Sequence, residues 1–161
     1  MKSASIPEQI FAERTYDAAY IKSVITELWD TVAEDNASLD DWSAECVSEC
    51  WLDLQGKGVF YLHPANSTTL ILHAHVLKPF RFQSVEIGYA VWSWVLSECP
   101  QKYQKFNCTI PVLYPNVKKY ALTMGMVEEG VNRQSYCKNG QIVDQWMLGI
   151  TRKEIEEFMH V

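Results

Sequence analysis

The sequence predicts a mixed α/β fold, and three observations carry that prediction. Residues 17–34 hold Ala18, Ile21, Ile25, Leu28, Trp29 and Val32 mostly three and four apart, the period of an amphipathic helix. Residues 68–77 (TTLILHAHVL) alternate instead: Leu70, Leu72, Ala74 and Val76 fall on one side of an extended chain, and Thr69, Ile71, His73 and His75 on the other. Gly-Lys-Gly (56–58) and Lys-Asn-Gly (138–140) each separate two apolar runs, as hairpin turns do.

The remaining elements follow in chain order. Ile10 to Arg14 reads as a short first strand, and Asp17 as the N-cap of the helix that runs towards Glu34. Asp-Asn-Ala-Ser (35–38) ends that helix, and a second is expected from Ser38–Asp41, carrying Trp42, Cys46 and Val47. Trp51 to Leu54 and Val59 to His63 form a hairpin, and Pro79 closes the long strand after it. Ser84 to Ser97 is helical and apolar nearly all round, with Val85, Ile87, Tyr89, Val91, Trp92, Trp94, Val95 and Leu96, which places it deep in the fold; Pro100 stops it. Phe106 to Tyr114 is a strand, and Pro115 opens a short helix that ends at Met124-Gly125. Met126 to Tyr136 and Ile142 to Ile150 make the last hairpin, and Thr151-Arg-Lys-Glu154 is a capping box that starts a terminal helix.

At 161 residues the chain is expected to form one domain, 1–161, with a single sizeable core. A net charge of −6 excludes a general nucleic-acid binder, leaving only a local basic patch at Lys102, Lys105, Lys118 and Lys119. No apolar run approaches the roughly 18 residues of a membrane span, and MKSASIPEQ lacks the apolar region of a signal peptide, so a cytoplasmic location is expected. Cys46, Cys50, Cys99, Cys108 and Cys137 are scattered and odd in number, which reads as reduced, packed thiols. Cys46 and Cys50 would share a helix face, yet no further ligand stands near enough to make a metal site. No Ser-His-Asp series, P-loop or zinc signature is present.

The element order, together with Asn116, Gly125-Met126, Glu129-Gly130, Arg133, Asn139-Gly140 and Asp144 in the stretch 106–154, resembles the GNAT (acyl-CoA N-acyltransferase) superfamily, especially its ribosomal-protein acetyltransferase branch. The similarity spans about 58–154. It implies a mostly antiparallel central sheet flanked by helices, acetyl-CoA as cofactor and an amine as acceptor. The chain also resembles a small family of short-tailed bacteriophage proteins, some described as head-assembly products needed for DNA injection. That resemblance implies a non-catalytic role instead, with phage structural or host proteins as partners, in the host cytoplasm or in the virion.

In the GNAT pattern the acyl-CoA diphosphate sits where a strand hands over to the central helix, over a loop of the form Arg/Gln-x-x-Gly-x-Gly/Ala. The resemblance therefore implies cofactor contacts from Val76, Leu77, Arg81, Gln83, Ser84, Val85, Glu86, Gly88 and Asn116. A register starting at Arg81 puts Ser84 and Glu86 in the glycine positions, and one starting at Gln83 puts Glu86 and Gly88 there. Either way a carboxylate stands where relatives keep bare backbone for a diphosphate. Two readings stay open: Glu86, behind Ser84 as N-cap, fills the anion position itself, or its side chain turns away and the loop still takes CoA.

The family's acid is a tyrosine four residues before the Gly-Phe pair. That position is Ala121 here, with Tyr120 beside it and about 100° away around the helix. Tyr120 is thus either a displaced acid or a packed aromatic. His75, with His73 two residues before it, is the candidate base or else a packed strand histidine. Glu128, Glu129 and Asp144 either line an acceptor groove or are solvated strand ends. Trp92 and Trp94 belong to the core, whereas Trp42, Trp51 and Trp146 are expected nearer a partner surface.

Overall fold

The computed structural model of the chain describes residues 9–46 and 49–160; the opening segment behind the cytoplasmic expectation, and Val47, lie outside them. Seven strands form one sheet: β1 (Glu13–Arg14), β2 (Cys50–Asp53), β3 (Gly58–Pro64), β4 (Thr69–Val76), β5 (Lys105–Pro111), β6 (Val127–Lys138) and β7 (Gln141–Thr151). Their order is β1-β2-β3-β4-β5-β7-β6, and β4 with β5 is the parallel pair in an otherwise antiparallel sheet. The helices are α1 (Ala18–Glu27), α2 (Trp29–Val32), α3 (Ser84–Glu98), α4 (Pro115–Thr123) and α5 (Arg152–Met159), with a 3-10 segment, Lys78–Gln83, leading into α3.

Two apolar clusters cement the layers. On one face Ile21, Val24, Ile25 and Leu28 of α1 pack on Trp51 and Val59. On the other, Ile87, Val91, Trp92 and Val95 of α3, with Ala121 of α4 and Ile155 of α5, pack on Leu52, Phe60, Leu62, Phe106, Leu148 and Ile150. Strand alternation supplies this division, because every second residue of β3 and β5 points into the larger cluster.

Local signals set the element ends. The Asp17 carboxylate accepts the Tyr20 amide at 3.0 Å and starts α1. Gly125, at φ +88°, turns the chain out of α4, and the Met126 amide reaches back to the Ala121 carbonyl at 3.1 Å. Thr151 and Glu154 form the expected reciprocal capping box of α5. Arg152, directly after Thr151, is 3% exposed.

Some elements differ from the sequence reading. The first strand pairs over Glu13–Arg14 alone, although Ile10 is buried. The helix expected from Ser38–Asp41 onward is absent: residues 38–46 are turns and irregular chain. There Trp42, Ala44 and Cys46 alternate with exposed residues and pack against the α1 cluster, which is an extended period of two rather than a helical one. Cys46 and Cys50 therefore share no helix face. Trp51 is 2% exposed and central to its cluster, which removes it from any partner surface. Trp42 and Trp146 are half-buried, the latter beneath the Lys118 ammonium at 4.4 Å. Among the described residues no helix is long and apolar enough to cross a membrane.

Candidate functional site

The parallel pair β4/β5 stays in register for three residue pairs, Thr69↔Lys105, Leu70↔Phe106 and Ile71↔Asn107. Beyond them β4 continues to Val76 and β5 to Pro111 without pairing to each other. The sheet therefore opens here as a wedge.

Hydrogen-bond parity shows what lines it. In an antiparallel pair, residues alternate between bonding the partner strand and pointing away from it. Leu77 donates to the Lys57 carbonyl at 3.0 Å and Ala65 to Thr69 at 2.9 Å. The odd-numbered residues of β4 thus face β3, and Ala74 and Val76 turn their N–H and C=O groups towards β5. On β5, the Val112 amide bonds Asp144 on the β7 side at 3.0 Å, so Thr109 turns its groups towards β4. Ala74 is exposed although it faces the α3 layer, so the wedge is open on that side. Backbone groups left unpaired at a sheet opening are ready to bond an extended ligand as a further strand would.

The α3 N-terminus stands at the end of β4. Its 3-10 approach makes the chain helical before Ser84, whose backbone is already at φ −59°, ψ −34°. Ser84 is accordingly not the N-cap. Its hydroxyl donates to the Arg81 carbonyl at 2.6 Å, whereas a capping hydroxyl would sit on an extended residue and accept an amide. Arg81, Val85 and Glu86 are exposed, and Gln83 is half-buried. The Glu86 carboxylate accepts no hydrogen bond from the α3 amides of the described residues, so its influence on the site is one of charge. Asn116 is exposed in the first turn of α4. Val76 presents backbone to the wedge, while the Leu77 amide is already committed to Lys57.

Gly88 separates the two loop registers. A Cβ there would lie 2.5 Å from Met124 Cε and 2.8 Å from the Tyr120 hydroxyl. The α3–α4 crossing is therefore close at 88. In the register that begins at Gln83 this glycine takes the last position of the pattern and Glu86 the one before it.

The Tyr120 ring is partly buried against the larger cluster. Its hydroxyl donates to the Ser84 carbonyl at 2.6 Å, and burial, with the nearby Glu86 charge, pushes its ionisation above the ordinary tyrosine range.

His73 and His75 lie on the opposite face of β4, in a slab of stacked rings. Trp51 stacks on Tyr61 at 4.4 Å, Tyr61 on His63 at 4.9 Å, and His63 on His73 at 5.2 Å. Glu49 ties the slab by accepting from Trp51 Nε1 at 3.1 Å and the Tyr61 hydroxyl at 2.8 Å. His63 and His73 share an Nε2–Nε2 hydrogen bond of 3.0 Å. Burial, and then the charge of His63, lowers His73 to about 4; burial, and then the charge of His73, lowers His75 to about 3. Both are neutral at physiological pH, and His75 is a weak base.

The three carboxylates are not free strand ends. Lys118 pairs with Glu128 at 2.8 Å, Lys105 pairs with Glu129, and Asp144 accepts the Gln134 amide at 2.8 Å where β6 bulges. The sequence reading missed Asn107, Thr109 and the role of Lys105. The available signal was a lone amide and a lone hydroxyl inside the otherwise apolar strand FNCTI. Among the described residues no three His, Cys, Asp or Glu side chains cluster to hold a metal.

No family model matches this sequence. No curated protein matches it either, so the resemblance to short-tailed phage proteins gains no support. Solved structures do match. A chimera of the Vibrio cholerae spermidine N-acetyltransferase superposes with a TM-score of 0.72 at 16% identity, over 92% of this chain and 99% of that one. The Vibrio cholerae enzyme in complex with CoA and spermine superposes with a TM-score of 0.68 at 12% identity, over 92% and 98%. At such identities the likeness is one of architecture, and the fold of this chain is the GNAT fold.

Proposed function

We propose that the chain is an acyl-CoA-dependent N-acetyltransferase acting on an amine, with a weakened hold on the cofactor diphosphate. The observation that carries this reading is the β4/β5 wedge, with the backbone groups of Ala74, Val76 and Thr109 unpaired and the α3 N-terminus at its end. Fold alone does not bring function; here the feature that the chemistry needs, an open strand pair beside a helix start, is also present. The CoA and spermine complex of the neighbour fits the same reading.

When bound, acetyl-CoA supplies an acyl group whose C–S bond breaks as the amine's C–N bond forms, the amine's proton passing to the sulfur. The residues of this chain bind and orient. Ala74, Val76 and Thr109 offer main-chain donors and acceptors along the wedge. Arg81 and Gln83, with the first-turn amides of α3 and Asn116, face the diphosphate end. The His63–His73 pair, joined by its Nε2–Nε2 hydrogen bond, holds or relays a proton on the acceptor side. Tyr120 takes no part, since its hydroxyl holds Ser84.

Glu86 opposes the diphosphate. A like-charge pair at 4 Å costs about 1 kcal/mol in water and more near a protein surface. We expect acetyl-CoA to raise the melting midpoint of the wild-type protein, and Glu86→Gln to reach the same rise at roughly tenfold lower concentration. The second reading, a GNAT-fold protein that binds partners without turnover, is favoured by the locked Tyr120 and by Glu86. Release of free thiol from acetyl-CoA with an amine panel separates the two, and Tyr120→Phe should leave that rate unchanged. If neither wild type nor Glu86→Gln responds to acetyl-CoA, the acyl-CoA reading is wrong.

A further inference from the structure

Asn107 sits on β5 where the sheet begins to open, opposite Ile71 on β4 and Gly149 on β7. Its Oδ1 is buried and, alone among the buried side-chain polar atoms of the described residues, has no hydrogen-bond partner. A buried acceptor without a donor is costly, and folded proteins keep few of them. Gly149 beside it lets these groups close in: a Cβ there would collide with a Glu129 carboxylate oxygen and come within 2.6 Å of both Asn107 Oδ1 and Lys105 Cε, so a ligand head finds room only where the Lys105 chain swings away. Two acceptors, one of them charged, thus converge over bare backbone. The donor resting on the carboxylate is the Lys105 ammonium. The Lys105 and Glu129 side chains keep 30% and 39% of their exposure, and Val127 and Met147 on the same sheet face are exposed as well, so the notch opens to solvent.

We propose that this notch receives a primary alkylammonium group, held by Asn107 Oδ1 and Glu129, and that Lys105 occupies the carboxylate until such a ligand displaces it. An alkylammonium carries one positive charge and three N–H donors on a compact head, which suits a carboxylate and an amide oxygen together. Lys105 is itself a primary alkylammonium, and it shows that Glu129 accepts this head. A neutral alcohol has a donor for Oδ1 but nothing to compete for Glu129. A quaternary ammonium has the charge but no N–H for Oδ1. The notch borders the last paired residues of the wedge, so its ligand is the amine side of the proposed transfer. Its role rests on that reading; the binding itself does not.

The test is a titration of the full chain with n-butylamine at pH 7, followed through the backbone amide of Gly149 and the side-chain amide of Asn107 by NMR, without any acyl-CoA. Butylammonium should shift both signals saturably, and n-butanol and tetramethylammonium should not. Lys105→Met should tighten the binding several-fold. Asn107→Leu should lose it while melting at or above the wild-type midpoint, because an unpaired buried acceptor has been removed. Unchanged butylammonium binding in Asn107→Leu, no tightening in Lys105→Met, or equal binding of butanol would overturn the proposal. Acetyl-CoA titrations of the same samples keep the two readings apart. Butylammonium binding with no acetyl-CoA response sinks the acyl-CoA reading alone, and the reverse result sinks the notch alone.

Discussion

Arg152→Ala is expected to destabilise the chain by about 2–4 kcal/mol, because buried carbonyls that lose their donor cost about 1–3 kcal/mol each. The guanidinium donates from Nε to Tyr103 at 3.0 Å, from Nη1 to Val95 at 3.0 Å, and from Nη2 to Cys99 at 3.3 Å and Pro100 at 3.1 Å, all carbonyl oxygens. Its Cζ lies 5.8 Å from the Phe106 ring centre. One side chain therefore closes the C-terminus of α3 and the turn that feeds β5, and its charge meets the negative end of the helix. No glycine cap relieves it, because Cys99 leaves α3 in extended geometry. Alanine would strand the buried Val95 and Cys99 carbonyls, while Pro100 keeps the Tyr103 amide at 3.0 Å. Lysine would restore the charge but not the planar fork, and should recover only part of the loss. Against the 5–15 kcal/mol of a typical domain, such a loss is a large fraction of the whole. Urea denaturation measures it directly, and a change below about 1 kcal/mol would show that other groups satisfy these carbonyls.

The second large effect is acid lability from the ring slab. His73 and His75 titrate at about 4 and about 3 in the folded chain, against about 6.5 when unfolded. As the pH falls, the unfolded chain binds protons first, so the stability present above pH 6.5 is lost on going down towards the folded values. Each unit of difference is worth about 1.4 kcal/mol, so between pH 6.5 and pH 5 each imidazole should withdraw about 2 kcal/mol. Asp35 and Glu154 carry lowered values as well, but their contributions fade only below the ordinary carboxylate range, outside this window. Urea midpoints measured from pH 7 to pH 5 should therefore fall steadily. A flat profile would mean that these histidines protonate in the folded state without difficulty.

What the sequence disclosed was mostly local. The Asp17 cap, the Gly125 exit, the Thr151–Glu154 box and both hairpins depend on contacts within a few residues, and each appears where its residues predict. The segment 38–46 failed because Trp42 and Cys46, four apart, were read as one helix face, whereas Ala44 between them packs on the same side. Arg152 was hidden inside the capping box, where nothing in Thr-Arg-Lys-Glu separates a surface arginine from one that turns back to four carbonyls. Trp51 was misplaced for a related reason: its burial comes from α1, some 25 residues earlier in the chain. The wedge was legible only through resemblance, because it depends on which strands become neighbours and where they part. Glu86 was legible as a misfit, and its geometry was not. Asn107 went unnoticed, since an amide in a strand announces itself only when its partners are found missing.

The central claim is that the open backbone between β4 and β5 takes an acyl-CoA arm. Amide hydrogen exchange at Ala74, Val76 and Thr109, with and without saturating CoA, tests it most directly. These amides should exchange quickly in the free protein and slow markedly with CoA, in Glu86→Gln at lower CoA concentration than in wild type. If all three exchange at the same rate with CoA bound or absent, in both proteins, the wedge is not the cofactor site.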